Sequence, residues 1–150
     1  MIRMRCVRKT ASAEETKRLA GEIARFLLPG DVLALEGDLG AGKTTFAQGL
    51  ASALGVKELI DSPTFTLIKE YQGRLPFYHI DAYRLEDECE DLGWDEYFFG
   101  DGVCLVEWAS KIQAVLPEET IFIQIKVQED GTREFEIRSS FLCSKLKELE

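Results

Sequence analysis

Asparagine is absent from the 150-residue chain, histidine occurs once, and the four cysteines (Cys6, Cys89, Cys104 and Cys143) are scattered with no Cys-x-x-Cys pair. Without asparagine the chain cannot carry the Asn-Lys-x-Asp motif by which GTPases read guanine. One histidine and widely separated cysteines argue against a zinc site, so buried, reduced thiols are expected. Four prolines and 12 glycines are too few for a collagen-like or low-complexity chain. No apolar run approaches the ~20 residues of a membrane-spanning helix. The basic residues at 1–8 lack the apolar stretch that a signal peptide needs. These absences together predict a soluble, cytoplasmic protein. Basic residues are also in deficit, 18 against 27 acidic for a net charge of −9. Because nucleic-acid affinity comes mostly from neutralising phosphates, no strong direct nucleic-acid binding is expected, and any service to RNA would run through a partner.

What is present suits one domain over 1–150: 45% hydrophobic and 30% charged residues, at a length that buries roughly two-thirds of the unfolded chain's surface. Residues 1–8 alternate loosely, as an edge strand does. Ser12-Ala13-Glu14-Glu15 has the form of a capping box, and Leu19, Ile23, Phe26 and Leu27 follow on one helical face, up to Pro29-Gly30. Residues 32–35 read as a strand buried on both faces. A helix over about 43–54 turns Phe46, Leu50 and Leu54 inward, with Gly55 at its C-terminal cap. Strands are expected near 66–71, 75–80 and 103–107, and a helical turn over 111–116. An acidic loop with a short helix spans 84–102. A hairpin pairs 121–127 with 133–137 around Glu129-Asp130-Gly131, and a final helix covers about 141–149. The fold class is α/β: a P-loop NTPase-like domain with a mixed, mostly parallel sheet flanked by helices and a C-terminal β-hairpin.

Between the first buried strand and the second helix lies Gly37-Asp38-Leu39-Gly40-Ala41-Gly42-Lys43-Thr44, which matches Gly-x-x-x-x-Gly-Lys-[Ser/Thr] in the strand-then-helix context that this motif requires. Glycines let consecutive backbone N–H groups turn toward phosphate oxygens, and the helix start adds its positive dipole end. Lys43 can reach the β- and γ-phosphates and the Thr44 hydroxyl can ligate Mg2+. The dinucleotide fingerprint fails, because Gly40-Ala41-Gly42 is followed by Lys43-Thr44-Thr45. The ligand is therefore a nucleoside triphosphate, and with no guanine reader, ATP.

Magnesium on a triphosphate takes one or two protein carboxylates, and two apolar strands end in an acid, at Asp81 and at Glu107. In open α/β sheets ligands gather at the carboxyl ends of strands. Asp81 could hold magnesium through water, and Glu107 could either ligate it or polarise the attacking water. His79 shares the sheet face of Asp81 and reads first as a structural histidine. Trp108 reads as a packing residue, Arg84 as a phosphate contact or a solvated loop residue, and Ser62-Pro63-Thr64-Phe65 as a turn or a loop sensing the γ-phosphate.

Four blocks occur in order: Gly-Asp-Leu-Gly-Ala-Gly-Lys-Thr-Thr at 37–45, Ser-Pro-Thr-Phe-Thr-Leu at 62–67, His-Ile-Asp-Ala-Tyr-Arg-Leu at 79–85 and Val-Glu-Trp at 106–108. Together they closely resemble the bacterial TsaE family, also called YjeE, from about residue 12 to Arg138. The resemblance implies a small ATPase required for threonylcarbamoyladenosine in tRNAs reading codons that begin with adenosine. In that family it works with the TsaD–TsaB pair and resets it between turnovers. Carried over by position, the resemblance assigns Asp38, Leu39, Gly40, Ala41, Gly42, Lys43, Thr44 and Thr45 to the phosphates. It assigns Thr44 and Glu107 to magnesium, Asp81 to magnesium or its water shell, and Thr64 to a switch-like loop. Trp108 would lie near the nucleotide or a partner surface, and Arg133 near the nucleotide. A small-molecule kinase and a nucleotide-gated binding module are the competing readings. The first is disfavoured because 84–102 is too acidic for a phosphate lid.

Overall fold

The computed structural model describes residues 3–38, 40–60, 68–83 and 93–150. Its strands are β1 (Arg5–Thr10), β2 (Val32–Gly37), β3 (Ile68–Tyr71), β4 (Phe77–Asp81), β5 (Val103–Glu107), β6 (Ile121–Val127) and β7 (Arg133–Arg138). Its helices are α1 (Ala13–Ala24), α2 (Lys43–Ala53), α3 (Trp94–Phe98) and α4 (Ser140–Glu148), with a 3₁₀ segment over Ala109–Val115. The strands form one seven-stranded sheet in the order β1-β7-β6-β2-β5-β4-β3. Its centre, β6-β2-β5-β4, is parallel, and β1, β7 and β3 are added antiparallel at the flanks.

Burial follows from the alternation of side chains along these strands. Leu33, Leu35, Phe77 and Leu105 face one way and pack with α1, α2 and α4 through Ile23, Phe46, Leu50 and Leu146. Val32, Ala34, Ile80, Cys104 and Val106 face the other way and meet Trp94, Phe98 and Ile112. Every residue of β5 is buried, as a central strand covered on both faces requires. Among the described residues no helix is long and apolar enough to cross a membrane.

Local signals act where the sequence places them. Ser12 caps α1 by accepting from the Glu15 N–H at 3.1 Å. Gly55 takes φ +88 just past α2, where the Val56 N–H returns to the Ala51 carbonyl at 3.0 Å, the left-handed exit that glycine permits. Elsewhere tertiary contacts change the outcome. Helix α1 stops at Ala24 instead of continuing to Pro29-Gly30, because the guanidinium of Arg74 donates to the Ala24 carbonyl at 3.1 Å and the chain tightens into i→i−3 turns. The 111–116 turn begins earlier, at Ala109, and is 3₁₀.

The cysteine expectation is corrected. Cys6 on β1 and Cys143 on α4 form a disulfide with Cα atoms 5.8 Å apart. Packing of α4 against the edge strand brings the two together across 137 residues of sequence. Cys104 is the free, buried thiol among the described residues, pushed up to about 12 by burial, while Cys89 lies outside them.

Candidate functional site

Strands β2, β4 and β5 run parallel, so their carboxyl ends meet at one edge of the sheet. At that edge β2 leads into the glycine-rich turn and α2. Gly40 and Gly42 take φ +81 and +104, and Gly42 is the N-cap of α2, with the Phe46 N–H donating to its carbonyl at 2.9 Å. Only a residue without Cβ enters this conformation freely. A Cβ on Gly42 would also lie 2.8 Å from Nε of Arg133. Strand β6 is parallel to β2 and turns back as β7, which places Arg133, the first residue of β7, at this same edge.

A cleft of about 290 Å³ results, lined by Gly40, Gly42, Lys43, Thr44, Thr45, Asp81, Glu107, Trp108 and Arg133. These are nine of the sequence-derived residues, gathered from β4, β5, β7 and the start of α2. Asp38 and Ala41 are not in its lining: the Ala41 side chain is in the core, and its N–H donates to the Asp38 carbonyl at 3.0 Å. Leu39, Thr64 and Arg84 lie outside the described residues.

Lys43 is buried to 7% exposure and rests its Nζ 4.3 Å from the centre of the Trp108 ring, a cation–π contact. Among the described residues no carboxylate pairs with it, so its charge faces the cleft uncompensated by an ion pair. Trp108 is the one described non-glycine residue at positive φ, +57. That conformation costs on the order of 1 kcal/mol. Besides Lys43, the Tyr83 ring sits 4.9 Å from the indole and the Lys111 N–H donates to the Trp108 carbonyl at 3.0 Å, while beside them the Ser110 N–H donates to Glu36 Oε1 at 2.8 Å.

Asp81 and Glu107 are register partners on β4 and β5. Burial, the largest effect, raises the Asp81 carboxyl above its ordinary value. The Tyr83 N–H, donating to Oδ1 at 2.9 Å, opposes this, the Glu107 charge adds to it, and His79 and Lys43 act against it. Glu107 is buried and its Oε2 lies 2.5 Å from His79 Nε2. By sequence His79 reads first as a structural residue and only second as a catalytic one. The signal was the alternation along β4, which puts His79 and Asp81 on one face. Glu36 was missed altogether, because nothing local ties it to Ser110, 74 residues away.

The oxygen donors Thr44, Asp81 and Glu107 suit a hard cation such as magnesium. Lys43, Arg133 and the start of α2 suit the phosphates it would accompany. Among the described residues no cluster of three or more His, Cys, Asp or Glu forms an all-protein metal site.

The family model "Threonylcarbamoyl adenosine biosynthesis protein TsaE" matches residues 10–135. The tRNA threonylcarbamoyladenosine biosynthesis protein TsaE of Bacillus subtilis (strain 168) is 56% identical over 144 residues, 92% of this chain and 91% of that protein. The protein of the same name from Treponema pallidum (strain Nichols) is 46% identical over 136 residues, 89% of this chain and 99% of that protein. The crystal structure of Bacillus subtilis YdiB superposes with a TM-score of 0.86 at 45% identity, covering 99% of this chain and 97% of that one.

Proposed function

Because the chain belongs to the TsaE family of threonylcarbamoyl adenosine biosynthesis proteins, we propose that it binds and hydrolyses ATP in the service of that tRNA modification. In this reading it is the cytoplasmic ATPase subunit required for threonylcarbamoyladenosine in tRNAs that read codons beginning with adenosine. It works on a TsaD–TsaB pair and resets that pair between turnovers. What supports an ATPase is the convergence, in one cleft, of the Gly40–Gly42 turn, Lys43, Thr44, Asp81, Glu107 and Arg133.

The residues divide the work. Backbone N–H groups at the start of α2 and the Lys43 ammonium bind the β- and γ-phosphates and stabilise charge as water displaces ADP in line from the γ-phosphorus. Arg133, against Gly42, adds a second cation beside them. Thr44, Asp81 and Glu107 would hold magnesium, which when bound neutralises charge on the phosphate oxygens. With Oε2 held by His79, Glu107 acts through Oε1, on the cation or on the attacking water.

Replacing Lys43 with alanine is expected to weaken ATP binding about 10- to 100-fold, the equivalent of roughly 1.5–3 kcal/mol of charged hydrogen bonding. Calorimetric titration with Mg–ATP measures it. Wild-type affinity together with wild-type turnover in Lys43→Ala would overturn the assignment.

A further inference from the structure

We infer that His79 is a positioning residue for Glu107, fixing the carboxylate from beneath the cleft so that one oxygen is aimed at the bound nucleotide. The inference rests on the ATPase reading above. It goes beyond that reading by giving a task to a residue that touches neither nucleotide nor cation.

His79 is fully buried, in the middle of β4, and does not line the cleft. Its Nε2 lies 2.5 Å from Oε2 of Glu107, the last residue of the neighbouring strand β5. An ionised carboxylate only accepts hydrogen bonds, so Nε2 carries the proton and donates. The other ring nitrogen, Nδ1, is buried and has no partner among the described residues. A histidine kept only for packing would leave neither nitrogen bare, and an apolar side chain of similar size would fill the space without an unsatisfied group. The bond to Glu107 is therefore what the polar ring contributes. The ring is itself oriented: Phe77, two residues earlier on the same face, stacks on it at 6.1 Å and 30°. Both rings are on β4, whose pairing with β5 sets His79 opposite Leu105 and Asp81 opposite Glu107. The imidazole thus reaches diagonally to Glu107 from a rigid strand. Glutamate has three rotatable side-chain bonds. Holding Oε2 removes most of that freedom and leaves Oε1 to act, the role that outer-shell histidine–carboxylate pairs play at reactive sites.

Outer-shell substitutions typically lower activity 10- to 100-fold. Steady-state ATP turnover of the full chain, measured with TsaD–TsaB present, should show kcat of His79→Phe reduced by about that factor, with KM for ATP within about threefold of wild type. His79→Gln, whose amide N–H can reach the same oxygen, should recover most of kcat. Full kcat in His79→Phe overturns the role, as does equal loss in the Phe and Gln variants. A wild-type protein that neither binds nor hydrolyses ATP brings down the ATPase reading, and this role with it. Should the variants not fold, wild-type protein still decides, because His79 is the only histidine in the chain. Its long-range proton–nitrogen spectrum should show the Nε2–H form, with a downfield proton that moves upfield in Glu107→Gln. An Nδ1–H form, or signals unchanged in that variant, overturns the inference.

Discussion

Asp81 carries the cost of the cleft at a single carboxyl. Burial and the neighbouring Glu107 charge raise its pKa in the folded chain above the ordinary 3.8, so the folded state binds this proton more tightly than the unfolded state does. By linkage, the stability Asp81 contributes is fully present below pH 3.8 and is lost as pH rises through its raised folded value. Above that window the ionised side chain is a standing penalty, which a cation between the two carboxylates would relieve. Asp81→Asn keeps an oxygen to accept the Tyr83 N–H but cannot ionise. The expected result is a nucleotide-free variant more stable than wild type at pH 7, against the ~1 kcal/mol loss that most substitutions bring, with the difference vanishing toward pH 3.8. The same variant should lose magnesium-dependent turnover. Urea unfolding at a series of pH values checks the first part, and a variant less stable than wild type at pH 7 would refute it. At this scale Lys43, Asp81 and Glu107 were legible, because a loop motif and acid-ended strands are local patterns. The bond from His79 to Glu107 was not, since it depends on the register between two strands 28 residues apart.

Helices α1 and α2 cross at Gly49, and this crossing fixes where the N-terminal end of α2, with Lys43, lies. A Cβ there would meet the Lys17 Cα at 2.7 Å, the Lys17 carbonyl oxygen at 3.0 Å and the Ala20 Cβ at 3.1 Å. Two of those neighbours are backbone and have little room to yield. Glycine to alanine inside a helix gains about 1 kcal/mol of propensity, whereas forcing extra volume into a packed interface costs typically 1–3 kcal/mol. The clash is with main chain, so the cost should win: Gly49→Ala is expected to lower stability by up to about 2 kcal/mol and to weaken ATP binding by displacing Lys43. Chemical denaturation tests it, and a more stable variant would mean that the helices are not held this closely. Element boundaries set by short-range chemistry, such as the Ser12 cap and the Gly55 exit, could be read in advance. The end of α1 could not, because Arg74, 50 residues away, supplies the group that stops it.

Over the whole molecule, the alternation of strand and helix patterns announced an α/β sheet. The disulfide between Cys6 and Cys143 stayed hidden, because a separation of 137 residues leaves no spacing signal and only the packing of α4 on the edge strand creates it. Global charge was fully legible, and it bears on how this chain meets a partner. At −9, the protein should be steered toward basic surfaces and away from nucleic acid. The cleft also constrains what a partner can add. A cation supplied in trans to an otherwise bare phosphate site is worth ~10³–10⁵ in rate. Arg133 already stands in this cleft against Gly42, so part of that charge is present in cis. Stimulation of ATP turnover by TsaD–TsaB is therefore expected toward the lower end of that range, on the order of 10³ or less. It should also depend on ionic strength, because the screening length shrinks from ~30 Å at 0.01 M salt to ~3 Å at 1 M. Turnover measured with and without the partners across that range should show stimulation that fades as salt rises, while any turnover by the chain alone is expected to change little. Equal rates with and without TsaD–TsaB at low salt would refute the docking, and stimulation unchanged at high salt would show that charge does not drive it.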